Sequence, residues 1–165
     1  IADKMERRHP HIFGDRADSG PQSWEAIKAD ERSARGATSA IDGVASGLPA
    51  LMRARKVQDR AARVGFDWPD ARGPRAKVEE ELAEVDSADA ATIAEEIGDL
   101  LFATVNWARH LGIDPEAALR DGTTKFERRF RAMEAIAGDE FARLSLDQKE
   151  ALWQQVKHDQ RSDRL

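Results

Sequence analysis

Acidic residues are crowded into residues 77–99, a stretch that also carries regularly spaced Val, Leu and Ile. In a helix that turns about 100° per residue, Glu81 and Glu84 lie along one edge of an apolar stripe. The same geometry places Glu96 at the edge of the next apolar stripe, with Asp99 about 60° further round. Two neighbouring helices are therefore predicted to place a pair of carboxylates each beside an apolar face.

The connection between these two helices is the short stretch DSADA, residues 86–90. It favours antiparallel packing, which lets the four carboxylates converge on one groove. Like charges at a few ångströms raise one another's pKa and destabilise the fold unless they are compensated. A divalent cation supplies that compensation, and an all-carboxylate ligand set suits Mg²⁺ or Mn²⁺ better than Zn²⁺. One glutamate-rich helix alone is more typical of a solvated face, whereas two spaced pairs favour a metal site.

Composition narrows the class of protein. The 165 residues include 41% hydrophobic residues, which is enough for one small domain. The net charge of −5 gives no reason to expect a nucleic acid polymer or an anionic membrane as a partner. No apolar run approaches the length of a membrane span. The absence of cysteine excludes disulfides and thiolate sites and is compatible with a reducing cytoplasm, which is the predicted location.

The chain is predicted to consist of a tail and flexible linker, residues 1–47, and an all-α domain, residues 48–165. The linker assignment depends on the small, Gly- and Ser-rich residues 33–47. No stretch alternates with period two for long enough to indicate a strand. Breaks and capping signals predict about five helices, which span approximately 48–65, 74–86, 90–111, from Asp114-Pro115 onward, and from Ser145 to about 160.

The third predicted helix carries apolar residues around much of its circumference. Its buried face is predicted to consist of the residues at helical spacing, which are Ile93, Ile97, Leu100, Leu101, Thr104 and Leu111. Further apolar residues, such as Phe102 and Trp107, lie outside that face, so one copy of the helix set leaves apolar surface uncovered. This pattern indicates burial against a partner.

Several segments of the chain resemble the MazG family of all-α nucleoside triphosphate pyrophosphohydrolases. KVEEELAEV at 77–85 and EEIGDLLF at 95–102 carry the acidic pattern of that family. RAARVGFDWPD at 60–70, KFERRF at 125–130 and LWQQVK at 152–157 extend the match, so that it covers about residues 48–160. The resemblance is to the second, C-terminal MazG domain of the long two-domain bacterial form. It implies a MazG-like helical bundle completed by homodimerisation.

The resemblance also implies an activity and its residues. MazG proteins hydrolyse nucleoside triphosphates between the α- and β-phosphates with Mg²⁺, giving the monophosphate and pyrophosphate. The expected metal ligands are Glu81, Glu84, Glu96 and Asp99. Glu80 and Glu81 are the expected catalytic residues, with Glu80 as the candidate for orienting or deprotonating the attacking water.

A triphosphate also requires cations, which the fourth predicted helix supplies. Lys125 and Arg129 are spaced i,i+4 and are favoured as phosphate ligands, while Arg128 lies on a neighbouring face. Lys77 is interpreted either as a third phosphate contact or as an internal counter-ion for the acids. All four residues are substrate-binding candidates.

Three further residues are candidates for contact with the nucleoside. The resemblance makes Trp153 and Lys157 candidates for covering the bound nucleotide, although a tryptophan is equally typical of a core. Asn106 either hydrogen-bonds the sugar or base or is a plain surface amide. Thr123, where the family usually has Asn, follows Gly122, and the glycine predicts that the fourth helix frays or kinks there.

Two other functions are consistent with the same residues. One is a narrow-specificity pyrophosphatase for one pyrimidine or modified nucleotide, because no motif in the chain specifies the base. The other is a non-catalytic nucleotide-sensing or oligomerisation module, whose acids hold a structural metal or form a solvated face.

Overall fold

The computed structural model describes residues 38–162, with side chains through residue 160. The predicted tail therefore lies outside the described residues except for 38–47. The described chain is all-α and contains no strand, as predicted. Its α-helices are α1 (Ala50–Arg63), α2 (Arg72–Ser87), α3 (Ile93–His110), α4 (Pro115–Ala137) and α5 (Leu146–Ser162), with a 3₁₀ helix at Gly138–Arg143. None of these helices is both long enough and apolar enough to cross a bilayer.

The chain divides into two compact units, Ile1–Asn106 and Trp107–Leu165. The first contains α1, α2 and most of α3, and the second contains α4, the 3₁₀ helix and α5. The predicted boundary between residues 47 and 48 remains a prediction.

Local signals at the helix ends are confirmed. Asp114 caps α4, because its carboxylate accepts a hydrogen bond from the backbone N–H of Ala117 at 3.0 Å. Gly112 follows α3 with a φ of 72°, a conformation that favours glycine. Ser145 and Gln148 form the predicted capping box at the start of α5, with reciprocal bonds of 2.8 and 3.2 Å.

The prediction that α4 frays at Gly122 is wrong, because the helix runs without interruption from Pro115 to Ala137. The hydroxyl groups of Thr123 and Thr124 each donate to the backbone carbonyl four residues earlier, at 2.9 and 3.0 Å. Glycine in a helix interior costs only about 1 kcal/mol relative to alanine, and the helix tolerates that cost.

In the second unit, α4 packs against α5 and the 3₁₀ helix through aromatic and aliphatic side chains. The rings of Phe126 and Trp153 lie 5.5 Å apart between centroids, and those of Phe130 and Phe141 lie 5.3 Å apart. The buried methionine Met133 of α4 belongs to the hydrophobic core of the described residues. This packing fixes the orientation of the basic face of α4.

The predicted buried face of α3 is wrong for the single chain. Ile97 and Leu101 are 42% and 54% exposed, and Ile93 and Leu111 are exposed as well. The buried residues of α3 are instead Ala103, Val105 and Asn106. Helical spacing identified an apolar stripe correctly, but within the described chain no element covers it.

Candidate metal centre

The start of α2 is fixed by close packing between a ring and a glycine. The indole ring of Trp68 lies so near Gly73 that a Cβ at that position would collide with it. Any residue larger than glycine would therefore push the ring or the helix aside. This contact assigns Trp68 a packing role, whereas Phe66 is largely exposed. Glu81 and Glu84 lie about two to three turns further along the same helix.

Glu81 is the buried member of the acidic group, with only 4% of its surface exposed. Its Oε1 atom lies 2.6 Å from the ammonium nitrogen of Lys77. Its Oε2 atom is also buried and has no hydrogen-bond partner among the described residues. A buried oxygen without a partner is costly, so this atom indicates a missing ligand.

Glu81, Glu84 and Glu96 converge as predicted. Each offers one carboxylate oxygen, and the three oxygens lie within 4.8 Å of one another. Glu81 and Glu84 come from α2, whereas Glu96 comes from the first turn of α3, so two helices build the group. We call these three residues the carboxylate triad.

Two opposing electrostatic effects act on the Glu84 carboxyl of the triad. Partial removal from water raises its pKa and the neighbouring Glu81 carboxyl raises it further, whereas the charge of Lys77 lowers it. Hydrogen bonds to Glu80 and Glu81 raise the pKa of the Lys77 ammonium, which therefore stays protonated. The triad is thus a strongly acidic site with one cation bound to its edge.

The residues present fit a hard divalent cation. All three donors are carboxylate oxygens, the ligands that Mg²⁺ and Mn²⁺ prefer, and one of them belongs to the buried Glu81. Asp99, the fourth expected ligand, is exposed and does not belong to the triad. Its role as a ligand remains a prediction.

Glu80 and Lys77 form an ion pair at the edge of the triad. The Nζ atom of Lys77 lies 2.8 Å from Oε1 of Glu80. Lys77 therefore contacts two carboxylates, which is the counter-ion arrangement considered from the sequence. A phosphate contact for Lys77 and a catalytic role for Glu80 remain predictions.

The basic residues of α4 separate into two groups. Lys125 and Arg128 line an open depression of about 360 Å³, together with Asp121. Arg129 instead lies with its guanidinium 5.4 Å from the centre of the Trp153 ring. Both arginines also contact Gln160 at 3.3 Å. The depression therefore pairs Lys125 with Arg128, whereas the sequence favoured Arg129.

The nucleoside candidates have different surroundings. Trp153 is half-buried against Phe126 and Arg129, so it has a packing role in addition to any contact with a nucleotide. Lys157 is half-buried on the same helix. Asn106 is only 7% exposed, so the interpretation of this residue as a plain surface amide is wrong.

Gln58 of α1 was not identified from the sequence. It is buried, its Nε2 atom donates to the backbone carbonyl of Phe102 at 2.8 Å, and its Oε1 has no partner among the described residues. The available signal was its spacing of seven residues from Leu51, which places an amide on the apolar side of α1.

Comparisons with known proteins agree with this geometry. Residues 76–133, which include the whole triad and the basic residues of α4, match the MazG nucleotide pyrophosphohydrolase domain. The chain belongs to the MazG family.

Curated relatives with descriptive names match most of this chain. The chain is 48% identical to the nucleoside triphosphate pyrophosphohydrolase of Escherichia coli K12, with 95% of this chain and 65% of that protein covered. It is 42% identical to the nucleoside triphosphate pyrophosphohydrolase/pyrophosphatase MazG of Thermotoga maritima, with 95% and 63% covered. The chain thus spans slightly less than two thirds of the length of these relatives.

The geometry of the carboxylate triad predicts that metal affinity depends on the charge of Glu81. Replacing Glu81 with Gln keeps its shape but removes the charge, so we expect Mn²⁺ to bind at least about tenfold more weakly. Isothermal titration calorimetry measures this affinity. Glu79→Gln is the matched control, because Glu79 lies two residues away on the exposed face of α2 and outside the triad. Equal affinities for the wild type and Glu81→Gln would contradict a metal site at the triad.

Proposed function

We propose that this MazG-family chain hydrolyses nucleoside triphosphates to nucleoside monophosphates and pyrophosphate, with Mg²⁺ at the carboxylate triad. The observation that carries the proposal is the buried, unpartnered Oε2 atom of Glu81 beside Glu84 and Glu96, within a MazG domain. The names of the E. coli and T. maritima relatives support the same reaction. We also propose a cytoplasmic location, with which the cysteine-free composition is compatible.

Glu81, Glu84 and Glu96 hold the cation, with Asp99 as the expected fourth ligand. When bound, Mg²⁺ supplies positive charge that offsets the triphosphate and lowers the pKa of a coordinated water. Mn²⁺ offers the same ligand chemistry and is the expected substitute. The remaining steps belong to side chains of the chain itself.

Glu80 is the proposed base beside the triad. Lys77 holds its Oε1 atom, and the side chain remains more than half exposed, so the carboxylate is accessible to water. In the proposed step, the water oxygen bonds to the α-phosphorus and the bond to the bridging oxygen breaks. The bond's electron pair leaves with pyrophosphate, and the proton of the water passes to Glu80.

Lys125 and Arg128 are the proposed phosphate ligands. They line one depression of α4, where a lysine provides a mobile point charge and an arginine a planar pair of donors. Arg129 stays a candidate, but its cation is already engaged over the Trp153 ring. The depression therefore favours Lys125 and Arg128 for the first contacts with phosphate.

The reaction is tested by product analysis with a panel of canonical and modified nucleoside triphosphates, with and without Mg²⁺. We expect Mg²⁺-dependent release of monophosphate and pyrophosphate in equal amounts. Glu96→Gln should lower this rate at least about 100-fold, because the charge that holds the cation is removed. The control Glu79→Gln should match the wild type.

The outcomes also separate the other functions. Turnover of a single pyrimidine or modified nucleotide would establish the narrow-specificity pyrophosphatase. Nucleotide binding without turnover would favour the sensing module, and release of orthophosphate alone would contradict cleavage between the α- and β-phosphates.

The phosphate ligands are tested by kinetics. Lys125→Ala and Arg128→Ala should each lower kcat/KM about tenfold or more, because each removes a charged contact to the triphosphate. Arg131→Ala is the control, since Arg131 is an exposed cation of the same helix that pairs with Glu127 at 3.1 Å. If Arg131→Ala lowered kcat/KM as much as the other two, a general effect of charge would replace specific binding.

We further propose that the chain forms a homodimer through the exposed apolar stripe of α3. Ile93, Ile97 and Leu101 recur at i, i+4 and i+8, so they form a continuous row on one side of the helix. All three are exposed, as is Leu82 of α2. An apolar row of this kind is typical of a surface that another chain covers.

The homodimer is tested by analytical ultracentrifugation. We expect the wild type to sediment as a dimer and Leu101→Lys to shift it to a monomer, because the substitution places a charge in the row. Glu95→Lys adds positive charge on the opposite side of α3 and should leave the dimer intact. A monomeric wild type would contradict the proposal.

A further inference from the structure

Lys77 occupies an unusual position for a surface lysine. Its Nζ atom lies 2.6 Å from Oε1 of Glu81 and 2.8 Å from Oε1 of Glu80, while its side chain keeps 35% exposure. We propose that Lys77 is a resident counter-ion that holds Glu81 in place in the metal-free protein and limits the metal affinity of the carboxylate triad. The second part of this inference rests on the proposed function, and the first does not.

The need for a counter-ion follows from the burial of Glu81. An ionised carboxylate with 4% exposure has lost nearly all its contact with water, and Glu84 and Glu96 add negative charge nearby. A buried charge is strongly destabilising unless it is paired and hydrogen-bonded. Among the described residues, Lys77 is the cation in direct contact with the triad.

The contact is not explained by local helix preference. Ion pairs spaced i,i+4 are more favourable when the glutamate precedes the lysine, and here Lys77 precedes Glu81. The shortness of the contact therefore reflects the burial of Glu81. Because the ammonium holds Oε1, the orientation of the carboxylate is fixed and Oε2 remains for the triad.

The same ammonium opposes a second cation. A divalent ion at the triad would lie a few ångströms from Lys77, where charges still repel strongly at the dielectric of a protein surface. Fixing the orientation of one glutamate saves only the rotamer entropy of one side chain. The repulsion is the larger effect, so removing the charge should favour metal binding while destabilising the metal-free protein.

The first arm of the test measures stability without metal. The full chain is melted in chelator as wild type, Lys77→Met, Lys77→Arg and Arg75→Met. Lys77→Met should lower Tm by about 4–8 °C, whereas Lys77→Arg keeps the charge and should stay near the wild type. Arg75→Met is the matched control, because Arg75 forms an exposed i,i+4 pair with Glu79 on the same helix, and it should lower Tm by less than about 2 °C.

A double substitution measures the direct interaction between Lys77 and Glu81. Once Glu81→Gln has removed the buried charge, Lys77→Met should lose most of its effect on Tm, which is the signature of a direct interaction. An equal effect of Lys77→Met in both backgrounds would overturn the counter-ion role. An equal loss of Tm in Arg75→Met would do the same.

The second arm measures binding of Mn²⁺ alone by isothermal titration calorimetry. Lys77→Met should bind at least about threefold more tightly than the wild type, a direction that a general structural defect would not produce. Weaker binding by Lys77→Met would overturn the claim that Lys77 limits affinity. If the wild type bound no Mn²⁺, the proposed function and this claim would fail together, and the melting arm would still decide the counter-ion role.

Discussion

The burial of one carboxylate, that of Glu81, is the constraint on which the rest of the first unit depends. Two unit charges about 4 Å apart interact by about 4 kcal/mol at the dielectric typical of a protein surface, and Glu81 has two carboxylate neighbours in the triad. Such an arrangement requires a cation, which Lys77 supplies in the metal-free chain. It also requires a fixed position for α2, which carries Glu81. The contact between Trp68 and Gly73 fixes the start of that helix.

Polar contacts connect the elements of the first unit. Its buried apolar side chains are few, and Val105 is the largest that is fully buried, followed by Pro74. Instead, Gln58 donates to the carbonyl of Phe102 and so joins α1 to α3. Arg60 donates to the backbone carbonyls of Ile41 and Asp42, which anchors the segment before α1. A unit that relies on such bonds while exposing an apolar row fits the proposed homodimer, in which a second copy would cover that row.

Sequence reasoning succeeded where the signals were local and failed where they depended on neighbours. The capping box at Ser145, the cap at Asp114 and the turn at Gly112 each involve residues within four positions, so the sequence predicted them. Helical angles also brought Glu81, Glu84 and Glu96 to one place. The same angles misjudged the covered side of α3, because periodicity gives the direction of a side chain but not the element that meets it. Asp99 illustrates the limit, since it lies one turn from Glu96 and yet outside the triad.

The distribution of charge supports the proposed division of roles between the acidic and the basic residues. Glu80 and the triad bring four carboxyl groups together, and Lys77 is the cation that contacts Glu80 and Glu81. A triphosphate would be repelled by such a group, so the acids can serve it only through a cation. The phosphate oxygens therefore require positive side chains of their own. Arg129 is engaged with Trp153, whereas Lys125 and Arg128 line an open depression. This accessibility supports the proposal that Lys125 and Arg128 bind phosphate.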